Sequence, residues 1–127
     1  MKRFALSRPK PKLALDVRRH FLKRLRERYA IELSMRECKA LEKRRRGYFL
    51  YRQTCTRQWY LMKIREQWIY CLYQKRLGFT TVFTAQQFWS SHPRLRLPLF
   101  REDSQFTEAW LAARADQKTY QAGNKSK

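Results

Sequence analysis

The sequence predicts an α+β fold, in which two N-terminal helices pack on a three- to four-stranded antiparallel sheet and a C-terminal helix follows. Three patterns lead to this prediction. Residues 14–29 carry an apolar stripe with helical spacing, Ser34 opens a helix-start signal, and residues 48–84 contain four short runs rich in aromatic and β-branched residues. The chain has 127 residues and is 43% hydrophobic, which is enough material for one domain with its own core.

The first helix is predicted over residues 14–29, with Asp16 as its N-cap. Its apolar stripe consists of Val17, Phe21, Leu22, Leu25 and Tyr29. The second helix begins with a capping box, in which the side chains of Ser34 and Glu37 accept hydrogen bonds from each other's backbone N–H groups. We expect this helix to continue to about Arg46, because a glycine follows.

The four runs predicted as strands are "YFLYRQ", "RQWYLMKI", "WIYCLY" and "FTTVFT". The last three are separated by "REQ" and "QKRLG", which have hairpin lengths, so we expect an antiparallel meander. Because bulky residues fall on both faces, one face should carry the two helices and the other must be covered or bind something. A weaker capping signal lies at Thr84 and Gln87. An amphipathic helix from Ser104 onward is the expected cover, and docking on a partner is the alternative.

Composition divides the chain into a basic N-terminal arm at residues 1–13, a helix–helix–meander domain at 14–84 and a C-terminal extension at 85–127. The three cysteines are widely spaced and include no CxxC pair, so we expect reduced thiols, buried or half-buried, in a cytoplasmic protein. The chain has neither zinc-ligand spacing nor a glycine-rich phosphate loop, and it has no carboxylate cluster, which disfavours zinc binding, nucleotide hydrolysis and two-metal chemistry. No metal, cofactor or membrane partner is predicted, since no apolar run approaches the roughly 20 residues of a spanning helix.

Positive charge is the strongest feature of the composition. Thirty Lys and Arg residues against ten Asp and Glu give a net charge of +20. Residues 1–76 contain 23 basic and six acidic residues, whereas residues 77–127 contain seven and four. A charge excess concentrated in this way indicates a polyanionic partner, and RNA or DNA is the expected one. Nineteen of the cations are arginines, which bind phosphate through two N–H groups at once. A basic surface without a partner is the alternative.

A row of three residues on the first helix is the candidate site. His20, Arg24 and Arg28 are spaced four residues apart, and on a helical wheel they follow the border of the apolar stripe, where the helix meets the sheet. The opposite side, expected to be solvated, carries Arg19, Lys23 and Arg26. Arg18 falls inside the apolar stripe, and we expect its long side chain to extend to solvent. The other reading of the row is an ordinary surface of a basic helix.

The order of these features resembles a known family. The "H-x3-R-x3-R" row, the link "YAIELS", the strands "QWYLMKI" and "WIYCLY", and a threonine at 80 or 81 are similar to a small bacterial and phage domain of the barnase, EndoU, colicin nuclease and RelE-like ribonuclease fold. The resemblance covers about residues 14–84. It implies a toxin-like ribonuclease that cleaves RNA without metal in a bacterial or phage-infected cell. His20 would be the base or acid, and Arg24 and Arg28 would clamp the phosphate.

Further nucleic-acid contacts are expected from the strands. Arg57 and Lys63 would be additional phosphate ligands, and Thr81 would hold a phosphate oxygen. Tyr60, together with Tyr70 and Tyr73, would stack a base or relay a proton. The arginines at the end of the second helix suit the negative end of the helix dipole and are also candidate contacts. They are Arg44, Arg45 and Arg46.

Two alternatives involve no cleavage. In the first, the chain is a basic accessory protein that binds nucleic acid in a phage, plasmid or ribonucleoprotein setting. In the second, it is an inhibitor that binds a protein partner with its basic face. A cognate inhibitor or other protein is a further expected partner, through the C-terminal helix. The second histidine, His92, lies beside Pro93 and is expected to be structural.

Overall fold

The computed structural model describes residues 11–44, 47–96 and 107–125, and it confirms the predicted α+β fold. The N-terminal arm up to residue 10 and the arginines 45 and 46 lie outside the described residues. The elements in chain order are α1 (Pro11–Tyr29), α2 (Met35–Arg44), β1 (Gly47–Arg52), β2 (Arg57–Ile64), β3 (Gln67–Gln74), β4 (Gly78–Phe83), α3 (Ala85–Ser91) and α4 (Thr107–Lys125).

The sheet is the predicted antiparallel meander, with the strand order β1-β2-β3-β4. The β2–β3 hairpin is closed by Arg65 and Glu66, whose φ angles of 50° and 67° are those of a two-residue primed turn. Its register is continuous, from the pair Arg57 and Gln74 to the pair Ile64 and Gln67. The described residues form four strands, the upper limit of the prediction.

Helices cover both faces of the sheet, which explains why β2 has bulky residues at successive positions. Because side chains alternate along a strand, Met62 and Ile64 face α1 and α2, whereas Trp59 and Leu61 face α3 and α4. Two clusters of buried residues result, one on each side of the sheet. The first contains Phe21, Leu25, Cys38, Met62, Cys71, Phe79 and Val82; the second contains Trp59, Leu61, Tyr70, Phe88, Trp89, Ala109 and Ala113.

The starts of α2 and α3 agree with the prediction, and the start of α1 does not. The capping box at Ser34 is formed, with Oγ accepting from the Glu37 N–H at 3.1 Å and the Glu37 carboxylate accepting from the Ser34 N–H at 2.9 Å. A second capping box, at Thr84 and Gln87, begins α3. The prediction of Asp16 as an N-cap is wrong, because α1 already begins at Pro11, a residue suited to the first turn.

The C-terminal helix folds back onto the sheet, as expected. Ala109, Trp110 and Ala113 of α4 are buried there, while Leu111 on its outer side is 54% exposed. Gln117 adds a polar contact, because its Nε2 donates to the Leu95 carbonyl at 3.0 Å. In the part of the chain that the structure describes, none of the helices has the length and apolar character needed to cross a membrane.

Candidate nucleic-acid interface

The structure gives His20 and Arg24 different environments, although they are neighbours on α1. His20 is exposed, and it makes no hydrogen bond or ion pair among the described residues. Arg24 is engaged on its own helix, because its Nη1 lies 2.8 Å from Oε1 of Glu27. This exposed pair lowers the pKa of the Glu27 carboxyl through its hydrogen bond to Arg24. The histidine is therefore the more accessible of the two groups.

Arg28, the third residue of the predicted row, connects α1 to β4. Its Nη1 donates to the Val82 carbonyl, and its guanidinium lies 5.7 Å from the centre of the Phe83 ring. The next residue, Tyr29, donates its hydroxyl to the Phe83 carbonyl, and burial raises the pKa of this hydroxyl. Arg28 thus has a structural role at the border between helix and sheet, with part of its donor capacity used there.

The residues predicted on β2 divide between the two faces of the sheet. Tyr60 lies on the face of α1 and α2, where it packs against the first core cluster. Lys63 follows three positions later, and it contacts the start of α4 instead: its Nζ is 2.7 Å from Glu108 and 3.7 Å from Glu66. Lys63 is therefore not brought next to His20, and carboxylates already neutralise its charge.

The other strand residues are also dispersed. Arg57 is exposed at the start of β2. Thr81 is half-buried opposite Leu72, on the face of α3 and α4. The arginine cluster follows the end of α2: Arg44 is its last residue, with a side chain outside the described part, and Arg45 and Arg46 lie outside it altogether.

Tyr70 is a core residue and is not available to a base. Its side chain is 0% exposed, its hydroxyl donates to Oδ2 of Asp116 at 2.8 Å and accepts from Nε1 of Trp89 at 3.0 Å. Burial raises the pKa of Tyr70 and also that of Asp116, whose carboxylate is taken partly out of water. The expectation that Tyr70 stacks a base is thus wrong, and its role as a proton relay stays a prediction. Tyr60 and Tyr73 are half-buried.

The expectation that the long side chain of Arg18 extends to solvent is wrong. The side chain crosses to α2, where Nη2 lies 3.0 Å from Oε1 of Glu42 and Nε donates to both carboxylate oxygens at 3.1 Å. The two side chains are only 23% and 12% exposed. This part-buried ion pair joins the two helices of one layer, and the sequence offered no local signal for it.

The outer side of α1, which was predicted to be solvated, borders a depression of about 210 Å³. Three cations of α1 line it at helical positions i, i+4 and i+7, and the link between the two helices forms its other wall. Its lining consists of Arg19, Leu22, Lys23, Arg26, Glu32 and Leu33. All three cations are exposed, and none forms an ion pair within 4 Å among the described residues.

A second row of cations lies on α2. Arg36, Lys39 and Lys43 occupy positions i, i+3 and i+7, are exposed, and form no ion pair in the described part of the chain. We give the name α1–α2 surface to the six exposed cations among the described side chains of the two helices; they are Arg19, Lys23, Arg26, Arg36, Lys39 and Lys43. The periodicity of both rows is present in the sequence, and it indicates this surface independently of the histidine.

Charge is unequally divided between the two helical layers. Residues 11–29 and 35–44 of α1 and α2 contain eleven basic and four acidic residues. Residues 85–91 and 107–125 of α3 and α4 contain three basic and two acidic residues. The excess of positive charge is consequently larger on α1 and α2 than on α3 and α4.

The described residues include no group of three His, Cys, Asp or Glu side chains arranged to hold a metal ion. Of the three cysteines, Cys38 and Cys71 are buried as expected, but Cys55 is exposed in the β1–β2 loop, against the prediction. Comparison with known proteins adds no assignment: no family model matches the chain, and neither a curated protein nor a solved structure is significantly similar to it.

Proposed function

We propose that this protein binds nucleic acid and holds the phosphate backbone on the α1–α2 surface. The observation that carries the proposal is the set of six exposed cations on two adjacent helices, none of which forms an ion pair with a described carboxylate. Cations arranged in this way attract a polyanion and release its bound counterions on contact. The resulting affinity depends strongly on salt and does not require a particular base sequence.

The nearby carboxylates do not cancel this charge. Glu27 is bound to Arg24, and Glu37 accepts from Ser34 and lies 3.1 Å from Arg65. The hydrogen bond from the Ser34 backbone, assisted by Arg65, lowers the pKa of Glu37. Glu32 is the acid that borders the depression directly. Each phosphate therefore meets an excess of cations along both helices.

The test is the salt dependence of binding, followed by fluorescence anisotropy with a labelled RNA or DNA duplex. Each phosphate neutralised on duplex DNA contributes about 0.9 to the slope of log K against log salt concentration. Replacing Arg19, Lys23 and Arg26 with Gln should reduce that slope by about 2.7 if each residue contacts one phosphate. The charge-matched control, Arg94→Gln/Arg96→Gln/Lys118→Gln, removes three exposed cations outside the α1–α2 surface and should change the slope by less than one.

Two outcomes contradict this proposal. Equal losses in the two triple variants would mean that total charge, and not this surface, determines binding. Absence of binding by the wild type at low salt would reject nucleic acid as the ligand. Co-purification of an acidic protein in that second case would favour the inhibitor alternative, in which the basic face binds a protein.

RNA cleavage is a second candidate function, favoured by the exposure of His20 beside Arg19, Lys23 and Arg24 on one helix. An imidazole transfers protons near neutral pH, and adjacent cations stabilise a phosphate that gains charge in the transition state. If this candidate is correct, the wild type cleaves RNA in EDTA, His20→Ala stops cleavage while RNA binding persists, and Lys118→Ala, on the exposed side of α4, remains active. Unchanged cleavage by His20→Ala would remove the histidine from the mechanism.

A further inference from the structure

Three aromatic side chains form a partly uncovered patch on the sheet, next to the layer of α1 and α2. Phe49 of β1 is 45% exposed, and the centre of its ring lies 5.5 Å from that of Tyr60 on β2, at an angle of 68°. Tyr73 on β3 continues the row, with its ring centre 6.2 Å from that of Tyr60. We call Phe49, Tyr60 and Tyr73 the aromatic patch.

The position of α1 explains why this patch is not covered. α1 packs along β4, at the opposite edge of the sheet from β1. Phe79 of β4 is 0% exposed beneath it and contacts both Tyr60 and Tyr73, with ring centres 6.4 and 5.3 Å away. Exposure of the rings therefore increases from β4 towards the edge strand, and it is greatest at Phe49.

Cations lie at the end of the sheet beyond the patch. Arg52 ends β1 and Lys75 follows β3, whereas Arg57 begins β2 at a position that alternates with Trp59 and Leu61 onto the opposite face. The two loops are adjacent, since the Lys75 N–H donates to the Thr56 carbonyl at 2.9 Å. All three side chains are exposed, they form no ion pair among the described residues, and residues 52–57 and 74–78 contain no Asp or Glu.

The neighbouring chemistry identifies the occupant of the patch. An exposed ring next to unpaired cations suits a ligand that presents flat apolar surfaces and negative charges together. A single-stranded nucleic acid has this composition, because its bases are free to stack while its phosphates remain charged. A duplex hides the faces of its bases and offers no such surface.

We propose that the aromatic patch stacks bases of single-stranded RNA or DNA, with Arg52 and Lys75 holding the adjacent phosphates. This inference rests on the proposed nucleic-acid binding, and it adds a second site with its own ligand preference. Phe49 is the outermost stacking residue, and Tyr60 and Tyr73 position it by packing between it and the core.

The experiment compares the affinities of a labelled single strand of about 12 nucleotides and of a duplex of the same length, because comparable single-strand sites span roughly 4–16 nucleotides. Phe49→Leu keeps an apolar side chain but removes the ring, whereas Phe49→Trp keeps a ring. The matched control is Leu111→Ala, on the outer side of α4. Because Phe49 is exposed on an edge strand, we expect its variants to fold, and circular dichroism melting verifies this for each variant.

We expect Phe49→Leu to weaken single-strand binding at least fivefold, which corresponds to about 1 kcal/mol, the lower range for one stacked base. Phe49→Trp and Leu111→Ala should stay within about twofold of the wild type, and duplex binding should be unchanged in all three variants. Replacing Arg52 and Lys75 with Gln should lower the salt slope for the single strand by about 1.4, at roughly 0.7 per phosphate.

Several results would overturn the inference while leaving nucleic-acid binding intact. Single-strand affinity of Phe49→Leu within twofold of the wild type would show that no base stacks there. Equal losses for single strand and duplex would indicate a general effect on charge or folding. Self-association of the wild type that Phe49→Leu abolishes, with unchanged nucleic-acid affinity, would assign the patch to a contact between two copies of the chain. Failure of the wild type to bind either ligand would instead reject the proposed function itself.

Discussion

Replacing Gly78 with alanine should destabilise the fold by an amount that depends on Glu42. Gly78 begins β4 with a φ of +91°, a backbone conformation that side chains disfavour. A Cβ at this position would collide with Oε2 of Glu42. That carboxylate does not yield easily, because Arg18 holds both of its oxygens in a part-buried ion pair.

The cost of Gly78→Ala has two parts, backbone strain and displacement of Glu42, and the second part is absent when Glu42 is replaced by alanine. Backbone strain of about 1–2 kcal/mol accompanies any residue with a Cβ at this φ. Displacing Glu42 adds the loss of its ion pair with Arg18. Breaking a fully buried ion pair costs about 3–5 kcal/mol, and because this pair is partly solvated we expect a loss of ~1–2 kcal/mol. Gly78→Ala should therefore lower the free energy of unfolding by about 2–4 kcal/mol in the wild type and by only ~1–2 kcal/mol in Glu42→Ala.

A double-mutant cycle measured by urea denaturation tests this reasoning. The four proteins are the wild type, Gly78→Ala, Glu42→Ala and the double variant, each followed by circular dichroism and tryptophan fluorescence to verify a single transition. We expect a coupling free energy of about 1–2 kcal/mol. Additivity within about 0.5 kcal/mol would refute the proposed collision, because the two positions would then act independently.

Three other perturbations have expected outcomes. Tyr70→Phe should lower the free energy of unfolding by about 2–4 kcal/mol, because it leaves Nε1 of Trp89 and the carboxylate of Asp116 without their shared partner; a loss below ~1 kcal/mol in urea would contradict this. The stability of Asp116→Asn relative to the wild type should increase as pH rises from about 4 to 7. Burial raises the folded-state pKa of Asp116, so the wild type loses stability as this carboxyl ionises, whereas the neutral amide does not titrate. Urea curves at both pH values measure the difference, and a constant difference would refute the assignment. A thiol reagent should modify only Cys55 in the native protein and all three cysteines in urea, because burial protects the other two and raises the pKa of Cys38 to about 12; more than one rapidly reacting native thiol would contradict the burial.

The elements could be predicted from the sequence because their signals are local. The capping box at Ser34 fixes the start of α2 within the chain's own backbone, and "REQ" closes a hairpin whose strands adjoin in sequence. Amphipathic spacing likewise predicted the last helix as a cover of the sheet, and its Ala109 and Trp110 are buried there. In each case the residues that decide the structure lie within a few positions of one another.

The site was less predictable because its contacts join distant parts of the chain. Arg18 and Glu42 are 24 positions apart, and Lys63 and Glu108 are 45 apart. A helical wheel places Arg18 on an apolar stripe, but it does not show which carboxylate lies opposite. Likewise, the exposure of Phe49 depends on β1 being an edge strand and on α1 packing over β4, and both are properties of the assembled sheet.

The use of the acidic residues strengthens the case for a polyanionic ligand. Five acidic side chains of the described part form ion pairs, and only four cations take part in them: Arg18, Arg24, Lys63 and Arg65. Carboxylates that already join elements or neutralise a neighbour cannot also screen the cations on the outside of α1 and α2. At physiological salt, screening extends over about 8 Å, so adjacent cations of this surface still repel one another. Their repulsion opposes folding, and a bound polyanion would remove it, so the same charges that reduce the stability of the free protein would contribute to the affinity for the proposed ligand.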